Sequence, residues 1–183
     1  MQTGIIDLAV IIPTLNEELY IGQLLDSIIN QTVKPREIVI VDAFSKDKTI
    51  EEIKKRLKDL LNLRYFQVPK STISRQRNFG ASKTNSPHLL FLDADTVLTG
   101  DGVLKMYYQE ILDKKPDIAA AFNLPLSNYW KDKVFFWLMN TAFKIARPIW
   151  PMATGVNLFL KRSVFNRLKG FDESVRVGED MDL

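Results

Sequence analysis

The sequence predicts an α/β domain with a mostly parallel central sheet flanked by helices, on two observations. Short apolar runs rich in β-branched residues alternate along the chain with segments whose apolar residues recur at helical spacing. The strand-like runs are also continuously apolar, which suits strands covered on both faces.

In chain order, Leu8 to Ile12 is the first strand signal, and Pro13 is expected to end it. Tyr20, Ile21, Leu24, Leu25, Ile28 and Ile29 then mark a helix. Glu37 to Asp42 is the second strand. Ser45 is the expected N-cap of a charged helix whose apolar face carries Ile50, Ile53, Leu57, Leu60 and Leu61. Arg64 to Val68 reads as a short strand, Ile73 to Lys83 as a helix, and His88 to Leu92 as a buried strand. Val103 to Leu112 is a further helix and Ile118 to Phe122 a further strand.

The composition narrows the chemistry. With 183 residues, 46% hydrophobic and 26% charged, the chain is an ordinary globular domain with a sizeable core. It has no cysteine, which excludes a thiol nucleophile and a Cys-based zinc site, and its single histidine, His88, opens a buried run. Ser-His-Asp chemistry and His-based metal clusters are thereby excluded within the chain, and a general base must be a carboxylate or, failing that, Lys or Tyr. A net charge of +3 suits a phosphorylated ligand or an anionic surface without demanding either, and nothing points to nucleic acid. Residues 1–7 show no basic stretch followed by an apolar core, so a cytoplasmic protein, soluble or at the inner face of the membrane, is expected.

Ligands of open α/β sheets bind at the C-terminal ends of the strands. The first outlet, Pro13-Thr14-Leu15-Asn16-Glu17, is no Gly-rich turn, so neither a dinucleotide fingerprint nor a P-loop is present. Asn16 there is a candidate helix cap. The second strand ends on Asp42, either a cap or an acceptor for a nucleotide's ribose hydroxyl or base N–H. The strand from His88 ends on Asp93-Ala94-Asp95, two carboxylates one residue apart that either cap a helix or hold a divalent cation. Arg75 and Arg77, on the expected helix from Ile73 to Lys83, read by themselves as a solvated basic face.

Taken together, these motifs resemble the inverting glycosyltransferases of family 2, which have the GT-A fold. Pro13-Thr14-x-Asn16-Glu17 is similar to that family's opening, and Asp42 with Ser45, Asp47 and Thr49 to its nucleotide-contacting segment. Arg77-Asn78-x-Gly80, Asp93-x-Asp95, Thr154-Gly155-Val156-Asn157, Gly170-Phe171-Asp172-Glu173 and Gly178-Glu179-Asp180 follow in the family's order. Where the family usually has a second Asp and a Gly after Asp42, this chain has Ala43 and Phe44, so contacts made there in relatives are absent.

The resemblance implies an inverting, metal-assisted hexosyltransferase. Its donor is a nucleoside diphosphate sugar, its acceptor a glycan, a lipid-linked molecule or a small molecule, and its cofactor Mg²⁺ or Mn²⁺. It further implies Asp180 as catalytic base supported by Glu179, and Pro13, Thr14, Glu17, Asp42, Arg77 and Asp93 around the nucleotide sugar. Asp95 with Asp93 would bind the metal, and Gly155 and Asn157 would lie on the acceptor side. One domain is expected, with residues 1–98 as its nucleotide-binding half and 99–183 as its acceptor-side half. The helix signal opening near Glu179 meets no stop signal by Leu183, so the domain is expected to be incomplete at its C-terminus. Alternatives are a sugar-1-phosphate nucleotidylyltransferase, whose Gly-rich N-terminal loop is missing after Ile12, and a noncatalytic nucleotide-binding module, which leaves Glu179 and Asp180 without a role.

Residues 133–150 carry Phe135, Phe136, Trp137, Phe143 and Trp150, with Asn140, Lys144 and Arg147 recurring on one side. With too many polar groups for a span of about 20 apolar residues, the segment either packs on the sheet, the favoured reading, or makes peripheral membrane contact.

Overall fold

The computed structural model describes residues 4–69, 71–121, 124–125, 127, 129–146 and 157–174. Six strands form one sheet: β1 (Gly4–Thr14), β2 (Val33–Asp42), β3 (Leu63–Gln67), β4 (His88–Leu92), β5 (Ile118–Ala120) and β6 (Asn157–Lys161). Their spatial order is β3-β2-β1-β4-β6-β5. The four on the β3 side run parallel, while β6 is antiparallel to both β4 and β5. The α/β fold with a mostly parallel sheet is therefore as the sequence indicates.

Side-chain alternation explains the continuous apolar runs. On β1, Leu8, Val10 and Ile12 enter one core layer with α1 (Ile21–Ile29), α2 (Thr49–Arg56) and α4 (Val103–Lys114). Ala9 and Ile11 enter the opposite layer with α3 (Ile73–Ser82) and α6 (Arg162–Leu168). Strand β4 divides in the same way, Leu90 and Leu92 to the first layer and Leu89 and Phe91 to the second. Both faces are thus covered by helices, as a parallel sheet requires.

Several local expectations are corrected. Pro13 lies inside β1: the β4 ladder stops at Ile11 and only β2 continues beside it, so a residue without an N–H sits where the strand has one neighbour. Ser45 does not cap α2, whose N-cap residue is Lys48, and Asn16 does not cap α1, whose N-cap residue is Tyr20. Leu61 lies beyond the end of α2 and is 91% exposed. The strand β6 has no counterpart among the sequence expectations; it begins at Asn157, the last residue of a segment that reads as a loop in the sequence.

Among the described residues, the helix α5 (Trp130–Ala146) does not join the packing on the sheet that the sequence favours. Val134, Phe135, Trp137 and Leu138 are 45–65% exposed, and neither core layer includes a described residue of α5. Among the described residues, no helix is long and apolar enough to cross a membrane.

Helix α3 lies closest to the sheet at Gly80. A Cβ at that position would stand 2.5 Å from Ile11 Cγ2 and 3.2 Å from Val41 Cγ2. Overpacking of this kind costs about 1–3 kcal/mol. Gly80→Ala is therefore expected to lower the unfolding free energy by that much, read as a lower urea midpoint at unchanged m-value; an unaltered midpoint would show that α3 is free to move off the sheet.

Candidate functional site

The parallel register brings three polar residues into one row at the C-terminal edge. Thr14 of β1 pairs with Asp42 of β2, which pairs with Gln67 of β3. Next along the edge, β4 ends at Leu92 and delivers Asp93, and because β6 runs the other way it begins there, with Asn157 opposite Leu92. One sheet edge therefore gathers Thr14, Asp42, Asp93 and Asn157 from four separate stretches of sequence.

Asp42 is fully buried and its carboxylate is heavily used. Oδ2 accepts from the Ser45 backbone N–H at 3.0 Å and from Gln67 Nε2 at 3.2 Å. Oδ1 accepts from the Ser45 hydroxyl and from Thr14 Oγ1, the latter at 3.4 Å. Thr14 is held in turn by its N–H donating to Gln76 Oε1 at 3.0 Å. Gln76, 3% exposed, is a supporting residue that the sequence does not flag, since a glutamine on a basic helix gives no sign of burial.

The loops after β1 and β2 are clamped together by reciprocal polar contacts. Asn16 donates its N–H to Ser45 Oγ at 2.8 Å while its Oδ1 accepts the Lys46 N–H at 2.8 Å. Glu17 N–H reaches Thr49 Oγ1 at 2.7 Å, and Glu18 N–H reaches Asp47 Oδ2 at 3.1 Å. Ser45, Asp47 and Thr49 thus shape the loop beside Glu17. Asn16 and Phe44 adopt left-handed backbone, with φ of 58° and 57°. For an aromatic residue that costs roughly 1–2 kcal/mol; Phe44 keeps the turn that a glycine would make freely, with its ring 46% exposed at the rim.

The two arginines of α3 separate cleanly. The Arg75 side chain is 67% exposed, 4.0 Å from Glu173. The Arg77 side chain is 2% exposed, and its Nη2 donates to Asp93 Oδ1 at 3.0 Å. A solvated basic face therefore describes Arg75 and not Arg77. Asp95 is exposed one residue beyond the buried Ala94.

Electrostatics mark the mouth of the site. Partial burial pushes the Glu17 carboxyl above its ordinary range, and the negative charges of Asp95, Asp47 and Asp93 push it further the same way. A carboxyl raised by neighbouring negative charge marks a place that favours a cation. Among the described residues no three acidic or histidine side chains close into a metal cage by themselves. The exposed Asp95 with Asp93 still fits a hard divalent ion of the kind held by one or two carboxylates and completed by substrate phosphates. His88 is structural: its Nδ1 lies 3.2 Å from the Asp7 carbonyl and its ring packs against Tyr108 and Phe159. Gly155, Glu179 and Asp180 lie outside the described residues.

A mostly parallel sheet of this order flanked by helices is the GT-A fold, and solved structures share it. A mannosyltransferase from Pyrobaculum calidifontis, in complex with GDP-Man and Mn²⁺, superposes with a TM-score of 0.77 at 24% identity over 96% of this chain and 50% of its own. Staphylococcus aureus TarS 1-349 in complex with UDP-GlcNAc gives 0.73 at 22% identity, over 96% of this chain and 51% of that one. The model of glycosyl transferase family 2 matches residues 9–168, and the chain belongs to that family. In sequence it is 33% identical over 114 residues to the glycosyltransferase GlyA of Streptococcus pneumoniae, covering 62% of this chain and 16% of that protein. It is 26% identical over 189 residues to the O-antigen chain rhamnosyltransferase RfbN of Salmonella typhimurium, covering 95% of this chain and 58% of the other. The chain thus spans at most 58% of the length of these relatives.

The field on Glu17 has a sign that can be measured. An acid whose folded pKa is raised makes the native state bind more protons than the unfolded one, so stability falls as pH rises from the ordinary carboxyl value through the raised one. Glu17→Gln is expected to melt higher than wild type at pH 7 and to lose that advantage as pH drops below the ordinary carboxyl range. A constant difference at all pH values in a thermal-melt series would contradict this.

Proposed function

We propose that the chain transfers a sugar from a nucleoside diphosphate sugar to an acceptor hydroxyl, with inversion at the anomeric carbon and with help from Mg²⁺ or Mn²⁺. The observation that carries this reading is the convergence of Asp93 and Asp95 beside Glu17 at the outlet edge of a family 2 fold, where burial and the negative charges of Asp95, Asp47 and Asp93 raise the Glu17 carboxyl and a cation that can in turn carry a phosphate-bearing ligand is favoured. The complexes of two structural relatives with UDP-GlcNAc, and with GDP-Man and Mn²⁺, support the donor class and the ion.

In this reading residues 1–98 hold the donor and 99–183 face the acceptor. Pro13, Thr14 and Glu17 line the nucleoside pocket. Asp42 accepts from the base, the incoming N–H replacing Gln67, the exposed one among its present donors. Arg77 keeps Asp93 oriented, Asp93 meets the ribose or shares the metal, and Asp95 is the direct ligand. The bound cation supplies Lewis-acid neutralisation of charge developing on the departing diphosphate. Asp180 removes the proton of the acceptor hydroxyl as its oxygen bonds to the anomeric carbon, and the nucleoside diphosphate leaves with the electron pair of the broken bond. Glu179 orients Asp180, and Gly155 and Asn157 border the acceptor.

A panel of UDP, GDP and dTDP sugars with and without Mn²⁺ or Mg²⁺ tests the reading by thermal shift, since a ligand that binds the native state raises its melting temperature. One nucleotide sugar is expected to raise it in a metal-dependent way, and Asp95→Ala to abolish the metal dependence. Asp180→Asn is expected to keep binding and to lose turnover by at least about 100-fold, the lower end of general-base contributions. The product's anomeric configuration, read by NMR, is expected to be opposite to the donor's. No shift with any sugar nucleotide would overturn the assignment.

The exposed aromatic side chains of α5 favour peripheral contact with an anionic lipid surface, where an aromatic face sits among the acyl chains and basic residues meet headgroups. Lys131, Lys133, Lys144 and Arg147 against a single acid, Asp132, give residues 130–147 the matching charge. Phe135→Glu with Trp137→Glu is expected to abolish sedimentation with phosphatidylglycerol vesicles at unchanged nucleotide affinity; undiminished sedimentation would end the lipid reading.

A further inference from the structure

The Arg77-Asn78-x-Gly80 segment points its three side-chain positions to three different tasks. Gly80 seats α3 on the sheet, Arg77 pairs with Asp93, and Asn78 faces a part of the chain more than ninety residues away. Its side-chain amide reads the Phe171 backbone from both sides: Nδ2 donates to the Phe171 carbonyl at 2.9 Å, and Oδ1 accepts the Phe171 N–H at 2.9 Å. Nδ2 also reaches Glu173 Oε1 at 3.1 Å. The joint leaves no room for a side chain at residue 170. Gly170 has φ of 81°, and a Cβ there would stand 2.5 Å from Asn78 Oδ1.

What the joint holds in place is the Phe171 ring. Phe171 is 3% exposed, its ring is perpendicular to that of Phe91 at 5.1 Å, and the Arg77 guanidinium lies over it, 5.3 Å from the centroid. A guanidinium on an aromatic face is attracted and oriented by it. The same guanidinium donates to Asp93 at 3.0 Å. A continuous series of contacts therefore runs from Asn78 to the Phe171 backbone, from the Phe171 ring to Arg77, and from Arg77 to Asp93.

We propose that Asn78 is a positioning residue for the donor site: by fixing Phe171 it keeps the ring against Arg77, and through Arg77 it sets the orientation of the Asp93 carboxylate. The inference rests on the reading of Asp93 as a residue that shares the metal and adds a residue that touches neither the ion nor the nucleotide.

The test compares the full-length chain with Asn78→Ala, Phe171→Leu and, as a control for stability alone, Ile53→Val in the opposite core layer. Each is titrated by calorimetry with UDP and GDP, in the presence of Mn²⁺ and in EDTA. For the nucleotide that the wild type binds, Asn78→Ala and Phe171→Leu are expected to weaken Mn²⁺-dependent binding at least tenfold, while affinity in EDTA changes less than twofold. Ile53→Val, with a comparable drop in melting temperature, is expected to change neither. Phe171→Leu keeps the apolar burial and removes only the ring, so it remains informative if Asn78→Ala folds poorly. Lowered melting temperature with undiminished Mn²⁺-dependent affinity in both variants overturns the inference and leaves the proposed function standing. A wild type that binds neither nucleotide under any condition overturns both.

Discussion

The arrangement depends on a buried charge that must be paired. A guanidinium taken out of water is tolerated only with a compensating partner, and Arg77, whose side chain is 2% exposed, has Asp93 at 3.0 Å. That demand fixes how far α3 lies from the end of β4, and it can be met only because Gly80 allows the helix to approach Ile11 and Val41 so closely. Packing and electrostatics are one constraint here: the helix that covers the second face of the sheet also delivers the cation that orients an acid at its outlet.

The neighbouring outlets are built differently. Asp42 is held by neutral donors from three places, Thr14 on β1, Ser45 in the following loop and Gln67 on β3, so its position is set by hydrogen bonding within the row that the parallel register creates. The loop clamp between Asn16 to Glu18 and Ser45 to Thr49 then brings Glu17 into the field of the other acids. One acid is charge-paired, one is saturated by neutral donors, and Asp95 is left to solvent. Three environments at one edge give three carboxylates different readiness to meet a ligand, which is what the proposed division of roles among base, ribose and ion would require.

Much of this is legible in the sequence for a physical reason. Strands buried on both faces must be apolar throughout, so Leu8 to Ile12, Ile38 to Val41 and Leu89 to Leu92 announce themselves, and the polar residues that follow them are outlets by construction. Less legible is anything set by distant contacts. Ser45 and Asn16 look like caps because their types favour caps, yet they bond to each other's loops across about thirty residues. Arg77 and Arg75 are indistinguishable in a string of letters, and only the approach of Phe171 and Asp93 separates them. The strand β6 is hidden because it follows a loop-like stretch and runs against the alternation that the preceding elements establish. Helix α5 is apolar enough to suggest burial, but Trp130, Phe135 and Trp137 are exposed.

The central claim is that the edge formed by Asp93 and Asp95 holds a divalent ion together with a nucleoside diphosphate. Anomalous diffraction from crystals of the full chain grown with Mn²⁺ and its preferred nucleoside diphosphate tests this directly. The account predicts one manganese peak bonded to an Asp95 oxygen and to a phosphate oxygen, with the Arg77–Asp93 pair intact. A nucleotide bound at this edge with manganese remote from both Asp93 and Asp95 would contradict it.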